Sequence, residues 1–246
     1  ITRDDMKFIQ GKVAKYCANP GQEHFRALMH ALKFLTGTLD YGIEFVWNAS
    51  DPPPADGPLE IKAFTDSSYG DDTDTGRTTL GFLIKANGAT VFARSMLIKR
   101  VDSCVNHSEL QAFNEAAGSP SSMCMDPDQP TDGASLAFNE TARTVTWIRG
   151  IKAALERREV MDMPPTPVYV DNAGVLAMIE GITIKSANRH IFRTLAEARE
   201  RVHLDKIVVP VKIDTKDNLA NALTKQEPGI GGSAEQLRLI TGPPTI

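Results

Sequence analysis

The sequence predicts a mixed α/β fold, one sheet with helices packed on its faces. Three observations carry this. Apolar residues fall at helical spacing through residues 4–36. Short β-rich runs follow residue 58, with an Asn87-Gly88 pair placed to make a tight hairpin. From His107 onward, helical and strand patterns alternate. Antiparallel hairpins followed by alternating helices and strands give a mixed sheet covered by helices.

Each element can be justified in order. "MKFIQGKVAKYC" carries Phe8, Ile9, Val13 and Tyr16 near helical spacing, and "NPGQ" breaks it. "EHFRALMHALKFLTG" follows, with Phe25, Leu28, Met29, Leu32, Phe34 and Leu35 apolar and Gly37 as its stop. "DPPPADGP", residues 51–58, reads as a linker and a domain boundary. The strands "LEIKAFTD", "TTLGFLIKA" and "ATVFARS" come next, with "KRVDSCV" as a further candidate. A helix begins near His107. "PTPVYVD" is a strand ending on Asp171, and "NAGVLAMIEG" and "ANRHIFRTLAEARERV" are helical. "KIVVPVKI" is a strand that Pro210 assigns to an edge or a bulge. "KDNLANALTK" is a short helix, and the Gly- and Pro-rich tail from Pro228 reads as loose.

The totals fit a soluble globular protein: 246 residues, 41% hydrophobic and 24% charged. No window is apolar for the length a membrane span needs, and the N-terminus lacks a signal peptide's apolar core. The missing initial Met is expected of a fragment of a longer chain. Cys17, Cys104 and Cys124 are too few for a disulfide framework and fit a reducing, intracellular compartment. A net charge of −4 means that any nucleic-acid binding rests on a local basic patch.

The chemistry gathers around carboxylates. Asp66 and Asp171 each end a strand, and Glu109 lies early in the helix between them. If the strands lie side by side, all three acids converge at one sheet end. They would then repel one another unless cations sit between them. Mg²⁺ suits such oxygen ligands. The competing interpretation is a set of unrelated surface acids, with Asp66 in an ordinary turn. Spacing alone leaves both open.

In order along nearly the whole chain, "TRDDMKFIQGKVAKYCANPGQEHFRALMHALKFLTGTLDYGIEF", "AFTDSSYGDDTDTGRTTLGFLIKANGATVFARS", "NHSELQA", "VYVDNAG" and "DNLANALTK" resemble the end of the Pol polyprotein of copia-type LTR retrotransposons. That region is the ribonuclease H domain with the last helices of reverse transcriptase before it. The resemblance implies a ribonuclease H-like fold, a five-stranded mixed sheet with helices on both faces behind a small helical segment. It divides the chain into a reverse transcriptase remnant (1–50), the linker, a ribonuclease H-like domain (59–227) and the tail (228–246). The implied activity cuts the RNA strand of an RNA–DNA hybrid with two Mg²⁺ or Mn²⁺ ions, leaving a 3′-hydroxyl. Asp66, Glu109 and Asp171 are the implied metal ligands and catalytic carboxylates. The implied partners are the hybrid and the rest of a polyprotein, with no membrane, in a cytoplasmic virus-like particle or the nucleus. No polymerase motif lies within these residues.

Three departures bear on activity. Asn221 stands where the family's fourth carboxylate falls; it can offer a carbonyl oxygen but no charge. Asp217, four residues earlier, either reaches in as a substitute or caps the short helix. "AFNE" occurs at 112–115 and again at 137–140, around a segment rich in Gly, Pro, Ser and Asp. Removing one 25-residue unit shortens the Glu109–Asp171 separation from 62 to 37 positions, so 116–136 reads as an insertion loop or a segment wrongly retained in the gene. His190 matches a family histidine, open to a substrate contact or a purely structural role, while Phe192 and Ala196 replace an Asp and a second His. These changes favour an alternative, a decayed fold kept as a binding or structural module.

Substrate contacts are expected from Ser68 and Asn172, which follow the acids, and from Arg189 and Arg193. Two further basic groups, at Arg94, Lys99 and Arg100 and at Arg143, Arg149, Lys152, Arg157 and Arg158, and a third running through Lys185, Arg199 and Arg201, are equally open to being solvated faces. Trp147 reads as a core position. "DDTDTG", 71–76, reads as a hairpin loop rather than a calcium loop.

Overall fold

The structure, a computed structural model, describes residues 3–43, 60–98, 104–117, 145–154, 156–157, 159, 162–181, 191–225 and 240–241. The linker 51–58, most of the 116–136 segment, Arg189 and His190 lie outside the described residues.

Five strands form one mixed sheet: β1 (Ile61–Ser68), β2 (Thr79–Ala86), β3 (Ala89–Leu97), β4 (Thr166–Val170) and β5 (Val208–Lys212), in the order β3-β2-β1-β4-β5. The first three are antiparallel neighbours; β4 runs parallel to β1, and β5 parallel to β4. The five-stranded mixed sheet with helices is the fold class that the resemblance implies. Asn87 and Gly88 both have positive φ, 46° and 80°, as the tight β2–β3 hairpin requires. Pro210 sits on the edge strand, opposite Val168, where its missing N–H costs no outer pairing.

Alternation along the strands separates two cores. Ile61, Ala63, Phe82, Ile84, Val168 and Val170 face the helices. These are α3 (Val105–Ala117), α4 (145–154), α5 (Ala173–Glu180) and α6 (Phe192–Arg199), which close over them with Leu110, Phe113, Val145, Ile148, Val175 and Leu195. The other face carries Phe64, Leu83 and Ala93. It is covered by a 3₁₀ segment, Leu219–Leu223, and by Ile240.

The N-terminal helices α1 (Lys7–Ala14) and α2 (Gln22–Gly37) form a hairpin whose first helix packs on β3. Lys12 pairs with Asp71 at 2.7 Å, and Lys15 reaches Asp72 and Asp74 at 2.6 and 2.7 Å. The acids of the 71–76 loop are therefore tied to lysines. Tyr16 stacks on His24 across the helix hairpin, ring centres 3.7 Å apart.

Several expectations need correction. Trp147 is 65% exposed; Val145 and Ile148, three apart, take the core side of α4 instead. "KRVDSCV" does not end as a strand, because Val105 already opens α3, two residues before His107. "KDNLANALTK" forms two short 3₁₀ turns rather than an α-helix, and Asn218, not Asp217, caps the second through Ala220 N. Asp217 is exposed and belongs to the preceding turn. The tail is not loose throughout: Ile240 and Thr241 are buried.

Gly81 fits the closing segment to the sheet. A Cβ there would lie 2.6 Å from Thr224 Cγ2 and 2.9 Å from Leu223 Cβ. Gly81→Ala should therefore destabilise the chain by about 1–3 kcal/mol, because the 3₁₀ segment must lift from the sheet. Gly150→Ala, in α4 with nothing within 4 Å of the new methyl, should stabilise it by about 0.5–1 kcal/mol. Urea unfolding of the two variants checks both signs.

Candidate metal centre

The site begins with strand register. β1 and β4 pair Phe64 with Tyr169 and Thr65 with Val170, so the next positions outward are Asp66 and Asp171. Phe64 stacks on Tyr169 beneath them, ring centres 4.9 Å apart. Two strands ending in acids thus deliver both to one edge. Lys212 Nζ holds the Asp171 carbonyl from β5.

Glu109 arrives from the helical side. Ser67, next to Asp66, faces α3 and shares a 2.8 Å hydrogen bond with Ser108, next to Glu109. Ser108 also donates to Val105 O at 2.8 Å, in the first turn of α3. This serine pair fixes the helix against the strand at the residue beside each acid. Carboxylate oxygens of Asp66, Glu109 and Asp171 then lie within 4.8 Å of one another. Asp66 and Glu109 are buried, 1% and 4% exposed.

Such a cluster repels itself. Two charges at this separation cost about 3–4 kcal/mol at an effective dielectric near 20. Burial pushes Glu109 up to about 8, and the Asp66 and Asp171 charges add to this. Burial also pushes Asp66 up to about 6, against the opposing pull of the Lys225 ammonium and the Thr224 hydroxyl. Glu109 Oε2 is buried with no hydrogen-bond partner. An orphaned carboxylate oxygen beside two more carboxylates is the donor set that a hard divalent cation fits.

The closing segment supplies the third wall. Asn218 Nδ2 donates to Thr65 O at 2.8 Å, and Thr224 Oγ1 donates to Asp66 Oδ2. Lys225 Nζ lies 3.5 Å from the same Asp66 oxygen and donates to Asn221 Oδ1 at 3.1 Å. Asn221 Nδ2 donates to Thr215 O. Asn221 is thus beside the site, its amide engaged at both ends. Ser67, Ser108, Thr224 and Lys225 were not singled out from the sequence. Their only signal was position: Ser67 and Ser108 adjoin a motif acid, and Thr224 and Lys225 follow Asn221 by three and four residues.

The expected substrate residues fare unevenly. Ser68 ends β1, partly exposed, opposite Thr79. Asn172 caps α5, its Oδ1 accepting from Gly174 N and Val175 N at 2.9 and 3.2 Å, so its side chain is committed to the helix. Arg193 lies in α6. Members of the basic groups prove structural. Arg149 is buried and donates to Met163 O, Pro164 O and Thr166 Oγ1. Lys152 is also buried, Arg199 holds Met178 O, and buried Arg201 bonds Asn114 Oδ1 at 2.7 Å. The exposed-face interpretation and the phosphate-contact interpretation both fail for Arg149 and Arg201.

Two outcomes are expected. In the metal-free chain, the folded state keeps protons on Asp66 and Glu109 above the pH at which the unfolded chain releases them. Stability should therefore fall as pH rises from about 4 to about 8, by several kcal/mol. Thermal melts with chelator should show this slope, and Glu109→Gln should flatten most of it. Asn172→Ala should cost about 1 kcal/mol of stability through the lost cap, read by chemical denaturation.

No protein-family model matches the chain. The retrovirus-related Pol polyprotein from transposon TNT 1-94 of Nicotiana tabacum is 25% identical over 229 residues, 92% of this chain. The chain spans only 14% of that polyprotein's length. The secreted RxLR effector protein 161 of Plasmopara viticola is 28% identical over 116 residues, covering 47% of this chain and 76% of the effector. Among solved structures, LC11-RNase H1 isolated from compost overlays 67% of this chain and 92% of its own, at 15% identity and a TM-score of 0.40. Over nearly its whole length, this chain is similar to the retrovirus-related Pol polyproteins of plant transposons.

Proposed function

We propose that the chain is a metal-dependent endonuclease that cuts the RNA strand of RNA–DNA hybrids, as the ribonuclease H part of a copia-type Pol polyprotein. The observation that carries this is the acidic trio, three carboxylates within 4.8 Å at the end of a ribonuclease H-like sheet. The similarity to Pol polyproteins supports the same assignment.

Asp66, Glu109 and Asp171 would hold Mg²⁺ or Mn²⁺, which when bound activates water and stabilises the leaving oxygen of a phosphodiester. The chain's own residues prepare the place. Thr224 orients Asp66 by donating to Oδ2, which sets the carboxylate's plane. The Ser67–Ser108 bond sets the depth of Glu109. Strand register sets Asp171 beside Asp66. Ser68, partly exposed and two residues after Asp66, is the proposed contact with a ribose or a phosphate. Arg193, in α6, and Arg189 and His190, which precede α6 in the sequence, are the proposed contacts on the hybrid. The setting would be intracellular, inside a longer polyprotein.

A second reading is favoured by one observation. Asn221 replaces a carboxylate, and its amide is held by Thr215 and Lys225. A fold retained for binding, without catalysis, would look the same here. Cleavage of a labelled RNA–DNA hybrid in Mg²⁺ and Mn²⁺ separates the two. Asp66→Asn should lower the rate at least about 100-fold, beyond the usual cost of losing an outer-shell partner. A silent wild type that still binds hybrid would select the binding module.

A further inference from the structure

Lys225 occupies a place in the site that the trio does not explain. Its Nζ lies 3.5 Å from Asp66 Oδ2 and donates to Asn221 Oδ1 at 3.1 Å. It therefore bridges the central carboxylate and the position where a further carboxylate was expected. Asn221 is built to face it. The amide nitrogen donates to Thr215 O, and this points the amide oxygen at the ammonium. An Asp at 221 would have no proton for Thr215 O and would set two oxygens against each other.

Charge counting gives the consequence. Asp66, Glu109 and Asp171 carry three negative charges when ionised, and Asn221 carries none. The Lys225 ammonium returns one positive charge at contact distance of Asp66. Two negative charges remain, which one divalent ion balances. Two divalent ions would leave a surplus of positive charge in a site walled by buried groups, and the second would have to share Asp66 with an ammonium. A compact, tethered cation on Asp66 repels a divalent ion from that side.

We infer that Lys225 is a tethered cation of this site, and that the site takes one divalent ion instead of two. The inference rests on the proposed metal-binding role of the trio and changes its stoichiometry. Lys225 is a positioning residue here, acting through Asp66 and Asn221.

The test is Mn²⁺ titration of the full chain by calorimetry, with free Mn²⁺ followed by electron paramagnetic resonance. Wild type should bind one Mn²⁺ per chain, lost in Asp66→Asn. Lys225→Met should bind two and hold the first about tenfold more tightly, since a repelling charge is gone. Lys225→Arg should stay at one. Lys225 is partly exposed, so these variants should fold, which thermal melts check; Lys225→Gln serves if Lys225→Met does not. Two ions in wild type, or one in both neutral variants, would overturn the inference and leave the metal-binding role standing. No Mn²⁺ bound by wild type would overturn both. One ion bound without hybrid cleavage would sink the proposed activity and support the stoichiometry.

Discussion

Three acids packed at the end of one sheet are the constraint around which the rest of this structure is arranged. Left in a low-dielectric pocket, they would repel one another by several kcal/mol. The chain does not avoid that cost by spreading them. It fixes each with a separate device: parallel register for Asp66 and Asp171, a buried serine pair for Glu109, a hydroxyl and an ammonium for the far side of Asp66. A fold that merely tolerated these acids would let Glu109 turn to solvent. Here its carboxyl is held inside, with one oxygen lacking a partner.

The opposite side of the sheet depends on the same point. The last described turns of the domain cross β1 and β2 where Gly81 faces Asp66 across the ladder. Only a residue without a side chain lets Thr224 and Leu223 come that close. Leu219, Leu223 and Ile240 then bury Phe64 and Leu83, so one close approach serves both the packing of this face and the orientation of Asp66. Stability and the geometry of the site are coupled through one glycine. Buried Asn218, bonded to β1 at Thr65 O, anchors the same segment a few residues earlier.

Much of this was legible from sequence because it is local or periodic. Short β-rich runs marked the strands, Asn87-Gly88 marked its hairpin, and Pro210 restricted its strand to an edge or a bulge. The trio was legible because two strands ended in acids and a helix carried a third near its start. What escaped was long-range. Arg149 and Arg201 look like surface charge in sequence, yet each is desolvated against carbonyl or amide oxygens supplied by other elements. Trp147 is apolar in composition but one residue off the buried stripe of α4. Asn172 looked like a neighbour of a catalytic acid; helix α5 needs a cap at that residue, and the cap uses its oxygen. Thr224 and Lys225 gain meaning only when the chain's end is laid beside β1, 158 residues away in the case of the Thr224–Asp66 bond.

Asn221 is where sequence and structure press hardest on one another. From sequence, it is a lost charge and a sign of decay. In the structure, both polar atoms of its amide have a partner: the nitrogen donates to Thr215 O, the oxygen accepts from Lys225, and the residue is buried. A random neutral replacement of a carboxylate would leave a buried polar atom unpaired, which costs about 1–3 kcal/mol. This amide leaves none unpaired by its two bonds. A neutral side chain at 221 and the ammonium of Lys225 act in the same direction: each lowers the negative charge that cations from solution must balance. A site with fewer carboxylates and its own ammonium is electrostatically consistent. The substitution is therefore compatible with a working centre of lower charge, and the amide's two bonds are the physical reason.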